Sequence, residues 1–415
     1  MLEKSSLRKR CVILLLLVFG LLLGAAWAQT EHVLYSFCAQ TNCADGAESL
    51  GGVVFDQKGN LYGTTLLGGA DDHCGKFYDQ GCGVVFKLAP GGRETILYSF
   101  CAQGGDYCTD GASPLAGLAF DQKGNLYGTA GGGTDDNGVV FKLTPEGKYT
   151  VFYRFCAQTD CTDGSNPWAG VVFDQKGNLY GTTSIGGAYG VGVVFKLTPK
   201  GKETVLYSFC AQGGRYCSNG AGPRAGVVFD QKGNLYGTTF QGGAGFGVVF
   251  KLTPKGKYTV LHTFCAQNGC SDGAYPDAGL VLDQSGSLYG TTPDGGAYGS
   301  GTVFKLTPQG KETVLYSFCT QSGCADGWLP HAGVVLDQKG DLYGTTSSGG
   351  VHDGGLIFKL TAKGKYTVLH RFCAQNGCID GAYPYAGVVF DRSANLYGTT
   401  SRGGAYGGGV FKLTP

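Results

Sequence analysis

Seven near-copies of the word Leu-Tyr-Gly-Thr place tyrosines at Tyr62, Tyr127, Tyr180, Tyr236, Tyr289, Tyr343 and Tyr397. Successive tyrosines stand 65, 53, 56, 53, 54 and 54 residues apart. Each copy keeps the same neighbours. A run like Gly-Val-Val-Phe-Asp-Gln-Lys-Gly-Asn precedes it, and Gly-Val-Val-Phe-Lys-Leu-Thr-Pro and Val-Leu-Tyr-Ser-Phe-Cys follow. A unit copied at a fixed period cannot bury its apolar face alone, so the copies must pack on one another. The repeats run to Pro415 without a break in composition. Residues 29–415 therefore read as one body, although 415 residues would ordinarily suggest two or three domains.

Four short strand-like runs fit inside each copy; in the third they are residues 171–173, 179–183, 193–197 and 204–209. They are rich in Val, Phe, Tyr and Thr and bounded by Gly, Pro and Asn, which is the signature of strands and turns. The 75 glycines and the low charged fraction of 15% fit tight turns, while 42% hydrophobic residues argue against disorder. Four antiparallel strands per unit, seven times over, predict an all-β, seven-bladed β-propeller. The chain ends support closure. It opens on a fourth strand near residues 32–37 and stops after a third near 410–413, so pairing the N-terminal strand with the last blade hides two edges. A β-solenoid is the competing fold, but it gives no reason for ends that are out of phase.

Residues 1–28 read as a signal peptide. Lys4, Arg8, Lys9 and Arg10 precede an apolar run, and Ala26-Trp27-Ala28 forms the cleavage site. Without them 28 basic and 30 acidic residues remain, a net charge of −2. That balance leaves no footprint for nucleic acid, and no membrane attachment is expected after cleavage. The cysteines agree with export. Cys11 leaves with the signal, and the other sixteen fall into local pairs. They are Cys38 with Cys43, Cys101 with Cys108, Cys156 with Cys161, Cys210 with Cys217, Cys265 with Cys270, Cys319 with Cys324 and Cys373 with Cys378, plus Cys74 with Cys82 in an insertion. Even numbers in an exported chain read as disulfides. A zinc site would need two more ligands per pair, so no metal and no cofactor is expected.

The words Leu-Tyr-Gly-Thr-Thr, Gly-Gly-Ala, Val-Phe-Lys-Leu-Thr-Pro and Val-Leu-Tyr-Ser-Phe resemble the GloVer-type tandem repeat, a family of exported bacterial proteins, across nearly the whole mature chain. The resemblance implies a secreted or periplasmic location and a propeller-like body, and it carries over no catalytic residue. Relatives often end in a surface-sorting tail. The end at Pro415 without one leads to the expectation of a soluble product. The Asp-x-x-Gly-Asn-Leu-Tyr stretch is also similar to the first hairpin of NHL-type propeller repeats, a likeness of fold.

Propeller connectivity sorts the loops onto two faces. The Asp-Gln-Lys-Gly-Asn and Thr-Pro-x-Gly-Lys turns share one; the long Gly-Gly-Ala and disulfide loops share the other, which becomes the candidate binding face. Repeated residues there are read as structural. Asp56, Asp121, Asp174, Asp230, Asp283, Asp337 and Asp391 should bond backbone N–H groups of their turns. The Cys-x-Asp-Gly acids Asp45, Asp110, Asp163, Asp272, Asp326 and Asp380, with Asn219, suit Asx-turns better than calcium; His262 and His370 replace a strand tyrosine.

The informative positions differ while their neighbours do not. Before the Ala-Gly that opens each inner strand stand Leu50, Leu115, Trp168, Arg224, Asp277, His331 and Tyr385. Two residues earlier come Glu48, Ser113, Asn166, Gly222, Tyr275, Leu329 and Tyr383. Around a channel mouth, Trp168, Arg224, Asp277, His331, Tyr385, Tyr275 and Tyr383 would supply apolar faces and a few aimed polar groups for a polar ligand. Tyr189, Phe246, Tyr298 and Tyr406 would line an outer rim. Catalytic signatures are absent: no G-x-S-x-G, H-E-x-x-H, P-loop or C-x-x-C is present. The expectation is a binding or scaffolding module for a polar small molecule, a glycan or a cell-surface protein. The alternative is a hydrolase or lyase on extracellular polysaccharide that uses Asp277 and His331 as acid and base.

Overall fold

A computed structural model describes residues 30–414 apart from 71–73, 75–79, 106, 215, 267 and 405–406. The proposed signal peptide and Tyr406 lie outside the described residues. The chain forms seven four-stranded antiparallel sheets, and the described residues contain no α-helix. In the third blade the strands are Val172–Phe173, Leu179–Thr183, Val193–Leu197 and Glu203–Ser208, and the other blades repeat this order. The opening strand, Thr30–Ser36, pairs antiparallel with Gly409–Thr414 and completes the seventh blade, as the chain ends predict.

A second closure runs at the axis. The first threonine after each Leu-Tyr-Gly sends its hydroxyl to the carbonyl that precedes the next blade's inner strand. Examples are Thr182 to Ala225 at 2.8 Å and Thr345 to Ala386 at 2.9 Å. The seventh, Thr399, bonds the carbonyl of Gly51 at 3.0 Å and joins the last blade to the first. The inner strands are two residues long rather than three: the ladder starts at the second valine position, with Val172 opposite Tyr180.

The repeated words have packing reasons. A side chain on Gly63 would sit 2.6 Å from the Phe86 ring, and Gly181 stands likewise 2.7 Å from Phe195. The second strand thus needs glycine where the third-strand phenylalanine lies across it. Every such phenylalanine is fully buried and meets the phenylalanine that ends the previous outer strand, for example Phe155–Phe195 at 5.0 Å and 68°. Edge-to-face pairs of this kind add about 1 kcal/mol beyond the area they bury. A phenylalanine pair seals every blade interface, edge-on at Phe37–Phe86 and tilted at Phe372–Phe411.

All eight predicted disulfides form, one per blade plus Cys74–Cys82. Within the disulfide loop a fully buried acid does the anchoring. Asp45 accepts hydrogen bonds from the Tyr35 hydroxyl at 2.9 Å and from the N–H groups of Ala39 and Gln40 at 3.0 and 3.1 Å. Proton donors occupy the oxygens that calcium would need, so the Asx reading holds at this loop. In two blades histidine replaces the tyrosine: His262 Nε2 stands 3.2 Å from Asp272, and His370 Nε2 stands 3.8 Å from Asp380.

Candidate functional site

The long-loop face is built from one backbone device used seven times. Glu48, Ser113, Asn166, Gly222, Tyr275, Leu329 and Tyr383 all adopt left-handed φ, between 49° and 58°. A residue with a side chain pays about 1 kcal/mol or more for that conformation. The bond from its own N–H recurs in all seven copies, and a second, to its C=O, forms in five; Pro293, which has no N–H, stands at the donor position opposite Tyr275. Tyr275 N–H donates to Phe246 O of the preceding blade at 2.8 Å, and Ser184 N–H donates to Asn166 O at 3.0 Å. The residue that follows is proline in six copies and Ser49 in the first. The next residue, two beyond the left-handed turn, is the variable one.

Five of the seven variable side chains form two clusters, Trp168 with Arg224 and Asp277 with His331 and Tyr385. The Arg224 guanidinium lies 5.0 Å over the Trp168 ring and 3.5 Å over Phe240. Burial pulls the Arg224 pKa down, and the charge of Asp277 opposes that shift. Asp277 Oδ2 is 2.7 Å from His331 Nδ1, and the His331 ring stacks on Tyr385 at 5.4 Å between centroids. The other carboxylate oxygen of Asp277 is buried with no hydrogen-bond partner among the described residues. Leu50 and Leu115 close the circle as an apolar arc against Leu66 and Leu67. A concavity of about 370 Å³ opens beside that arc, lined by Leu66, Leu115, Tyr107, Asn166 and Trp168 among others. Trp168 and Tyr385 stand 43% and 41% exposed, a large share for such rings and enough to offer free faces.

The earlier set of positions behaves differently. Tyr275 packs between Phe240 and Phe246, at 5.1 and 5.2 Å, and buttresses the shelf under Arg224. Tyr383 gives its carbonyl to the N–H and hydroxyl of Ser401, both at 3.1 Å. Of the described rim aromatics, Tyr189, Phe246 and Tyr298, only Phe246 joins the site. Tyr189 and Tyr298 are exposed and lie near the outer-strand Tyr207 and Tyr316.

Sequence reasoning missed Phe240, Leu66 and Asp294. They occupy the two residues after Leu-Tyr-Gly-Thr-Thr, which vary from copy to copy as much as the positions it selected. Asp294 has a pKa raised by burial first and by Asp277 as well, with His331 opposing.

A metal finds no obvious seat among the described residues. The sulfurs of Cys74, Cys82 and Cys108 lie within 4.8 Å of one another, but each already belongs to a disulfide and offers no thiolate. What remains is a cation held over two aromatic rings, an acid–imidazole pair, free aromatic faces and an apolar arc.

Sequence comparison assigns the repeat. A family model described as the Gloeobacter/Verrucomicrobia repeat matches residues 24–216, 75–281 and 266–415. The chain belongs to that family. A search of the curated proteins returned no match. Among solved structures, this Gloeobacter/Verrucomicrobia repeat protein is similar to puromycin hydrolase at 11% identity and a TM-score of 0.50, covering 85% of this chain and 50% of the other. A protein assigned as a gluconolactonase aligns at 13% identity and a TM-score of 0.44, covering 94% and 92%. The β-propeller domain of the Trilobed protease from Pyrococcus furiosus aligns at 9% and 0.42, covering 78% and 84%. At such identities the likeness is one of fold. The eight disulfides fit an oxidising compartment, and among the described residues no helix is long and apolar enough to cross a membrane.

Proposed function

We propose that this repeat protein is an exported binding or scaffolding module whose long-loop face takes a glycan or similarly polar ligand. The observation that carries this reading is the matched contact of variable residues from successive blades: Arg224 lies over Trp168, and Asp277 meets His331, whose ring stacks on Tyr385. Positions drifting without a role would have no reason to match cation to ring in one cluster and acid to imidazole in the other. A sugar ring presents an apolar face and a rim of hydroxyls. Trp168 and Tyr385 suit the first; Arg224 and the unpartnered oxygen of Asp277 suit the second. The test is binding of a panel of oligosaccharides by calorimetry. The wild type should bind at least one member, with affinity falling tenfold or more in Trp168→Ala and Arg224→Ala. A ligand that binds both variants as well as the wild type would refute the site.

A second reading, hydrolysis or elimination on an extracellular polysaccharide, is favoured by the 2.7 Å contact of Asp277 with His331 Nδ1. A carboxylate at that distance fixes the tautomer and aims Nε2 as a general base. Turnover on a polysaccharide panel that is lost in both Asp277→Ala and His331→Ala would establish it. Binding without turnover would leave the module reading in place.

A further inference from the structure

The tight-turn face carries most of the exposed positive charge of the chain. Six of the seven turns between inner and second strands present an exposed cation: Lys58, Lys123, Lys176, Lys232, Lys339 or Arg392. All six turns between third and outer strands end in another: Arg93, Lys148, Lys202, Lys257, Lys311 or Lys365. Lys200, Lys255 and Lys363 add a third in their blades, and all three are exposed. Glu146 is the one exposed acid in these turns. The turn aspartates do not neutralise the array at its surface. They are drawn inward, as Asp174 is by the N–H groups of Lys176 and Asn178 at 2.8 and 2.9 Å. A nearly neutral whole therefore conceals one strongly basic face.

The cations are arranged as well as numerous. Gln122 Nε2 reaches Gln175 O of the next blade at 3.5 Å, so the first turns of the second and third blades touch; joined to the innermost strands, the first turns and their cations form an inner circle. The second turns form an outer one. Between the third and fourth blades runs an open groove of about 740 Å³, lined by Lys176, Lys196, Lys232 and Lys255 beside Phe173 and Phe229. Three features choose among polyanions. None of the exposed large apolar side chains lies in these turns, so nothing inserts into a bilayer. The aromatic faces are occupied: Lys196 covers Tyr180 at 5.6 Å and Phe229 meets Tyr180 edge-on at 5.0 Å, leaving none free to stack a nucleic-acid base. The disulfides belong to a compartment where acidic polymers are extracellular glycans.

We infer that the turn face docks a linear acidic polysaccharide, its chain lying in the grooves between blades and its acidic groups on the two circles of lysines. This surface is separate from the long-loop site and does not depend on it. The experiment titrates the purified protein with polygalacturonate, with neutral dextran, phosphatidylglycerol vesicles and a DNA duplex as comparisons. Polygalacturonate should bind and dextran should not, and affinity should fall steeply as salt rises. Lys176→Glu/Lys232→Glu/Lys255→Glu should weaken binding tenfold or more. The triple Lys→Gln variant, a milder change that guards against misfolding, should weaken it several-fold, while Arg224→Ala should leave it unchanged. The inference is overturned if polygalacturonate does not bind, if both triple variants bind it as the wild type does, or if vesicles or duplex bind more tightly.

Discussion

The two faces of this propeller are made from the same repeat, yet one is nearly identical in every blade and the other is different in each. On the turn face side chains do the structural work. The carboxylate of Asp56 accepts the N–H groups of Lys58 and Asn60 and the Tyr62 hydroxyl, so the aspartate recurs. On the loop face the main chain does it. The left-handed residue bonds its neighbours through its own N–H and C=O, whether it is Glu48, Leu329 or Tyr383. A position whose backbone holds the fold leaves its side chain free to change, and the residue after next inherits that freedom. The repeat thus separates a fixed scaffold from a ring of side chains open to specialisation.

The largest effect expected from breaking this arrangement concerns the closure that both faces share. Removing residues 29–40 deletes the outer strand of the seventh blade, and cooperative melting by circular dichroism should be lost; an unchanged single transition would contradict the ring. Next comes reduction. Each disulfide closes a short ring and should contribute about 2 kcal/mol in the chain-entropy model. Reductant should therefore lower the melting temperature and increase proteolysis in the disulfide loops before the tight turns. Smaller still, Thr399→Val removes the axial bond to Gly51 and should cost about 1–2 kcal/mol in chemical denaturation, similar to Thr182→Val. A far greater loss at Thr399 would mean that the seam is a special weak point.

A separate effect is one of pH. Burial first, and neighbouring Asp380, Asp45, Asp163 and Asp272 second, push the carboxyls of Glu31, Glu94, Glu203 and Glu312 up from 4.5 to about 7. The folded state then holds protons that the unfolded chain releases, so these groups make stability fall as pH rises from 4.5 to 7, and flatten above. His262 and His370, pulled down by burial, act oppositely and lower stability as pH falls through 6.5. Replacing the four glutamates by glutamine should isolate the first contribution. The variant should melt higher than the wild type at pH 8 and alike at pH 4.5.

Much of the fold was legible because its causes are local and repeated. The strand words, the tight turns and the even cysteines each announce themselves seven times, and the out-of-phase ends state how the ring closes. The inner strands are one residue shorter than the sequence pattern predicts, and the threonine bonds across the blade boundary are a contact no single repeat shows. At the candidate site the variable positions were legible from internal comparison, but their pairing was not. That Arg224 would rest on Trp168, and Asp277 meet His331, depends on which blades neighbour at the mouth. The charge of the turn face was hidden by the near-zero total, since the sum over a chain says nothing about where its signs collect.

Hydrogen exchange in the presence of a bound oligosaccharide tests the division of labour most directly. Amides should slow around Asn166–Trp168, Phe240, Tyr275–Asp277 and Leu329–His331, while the turn segments 56–60, 174–178 and 230–234 keep their rates. Slowing confined to those turns, with the mouth unchanged, would contradict the account.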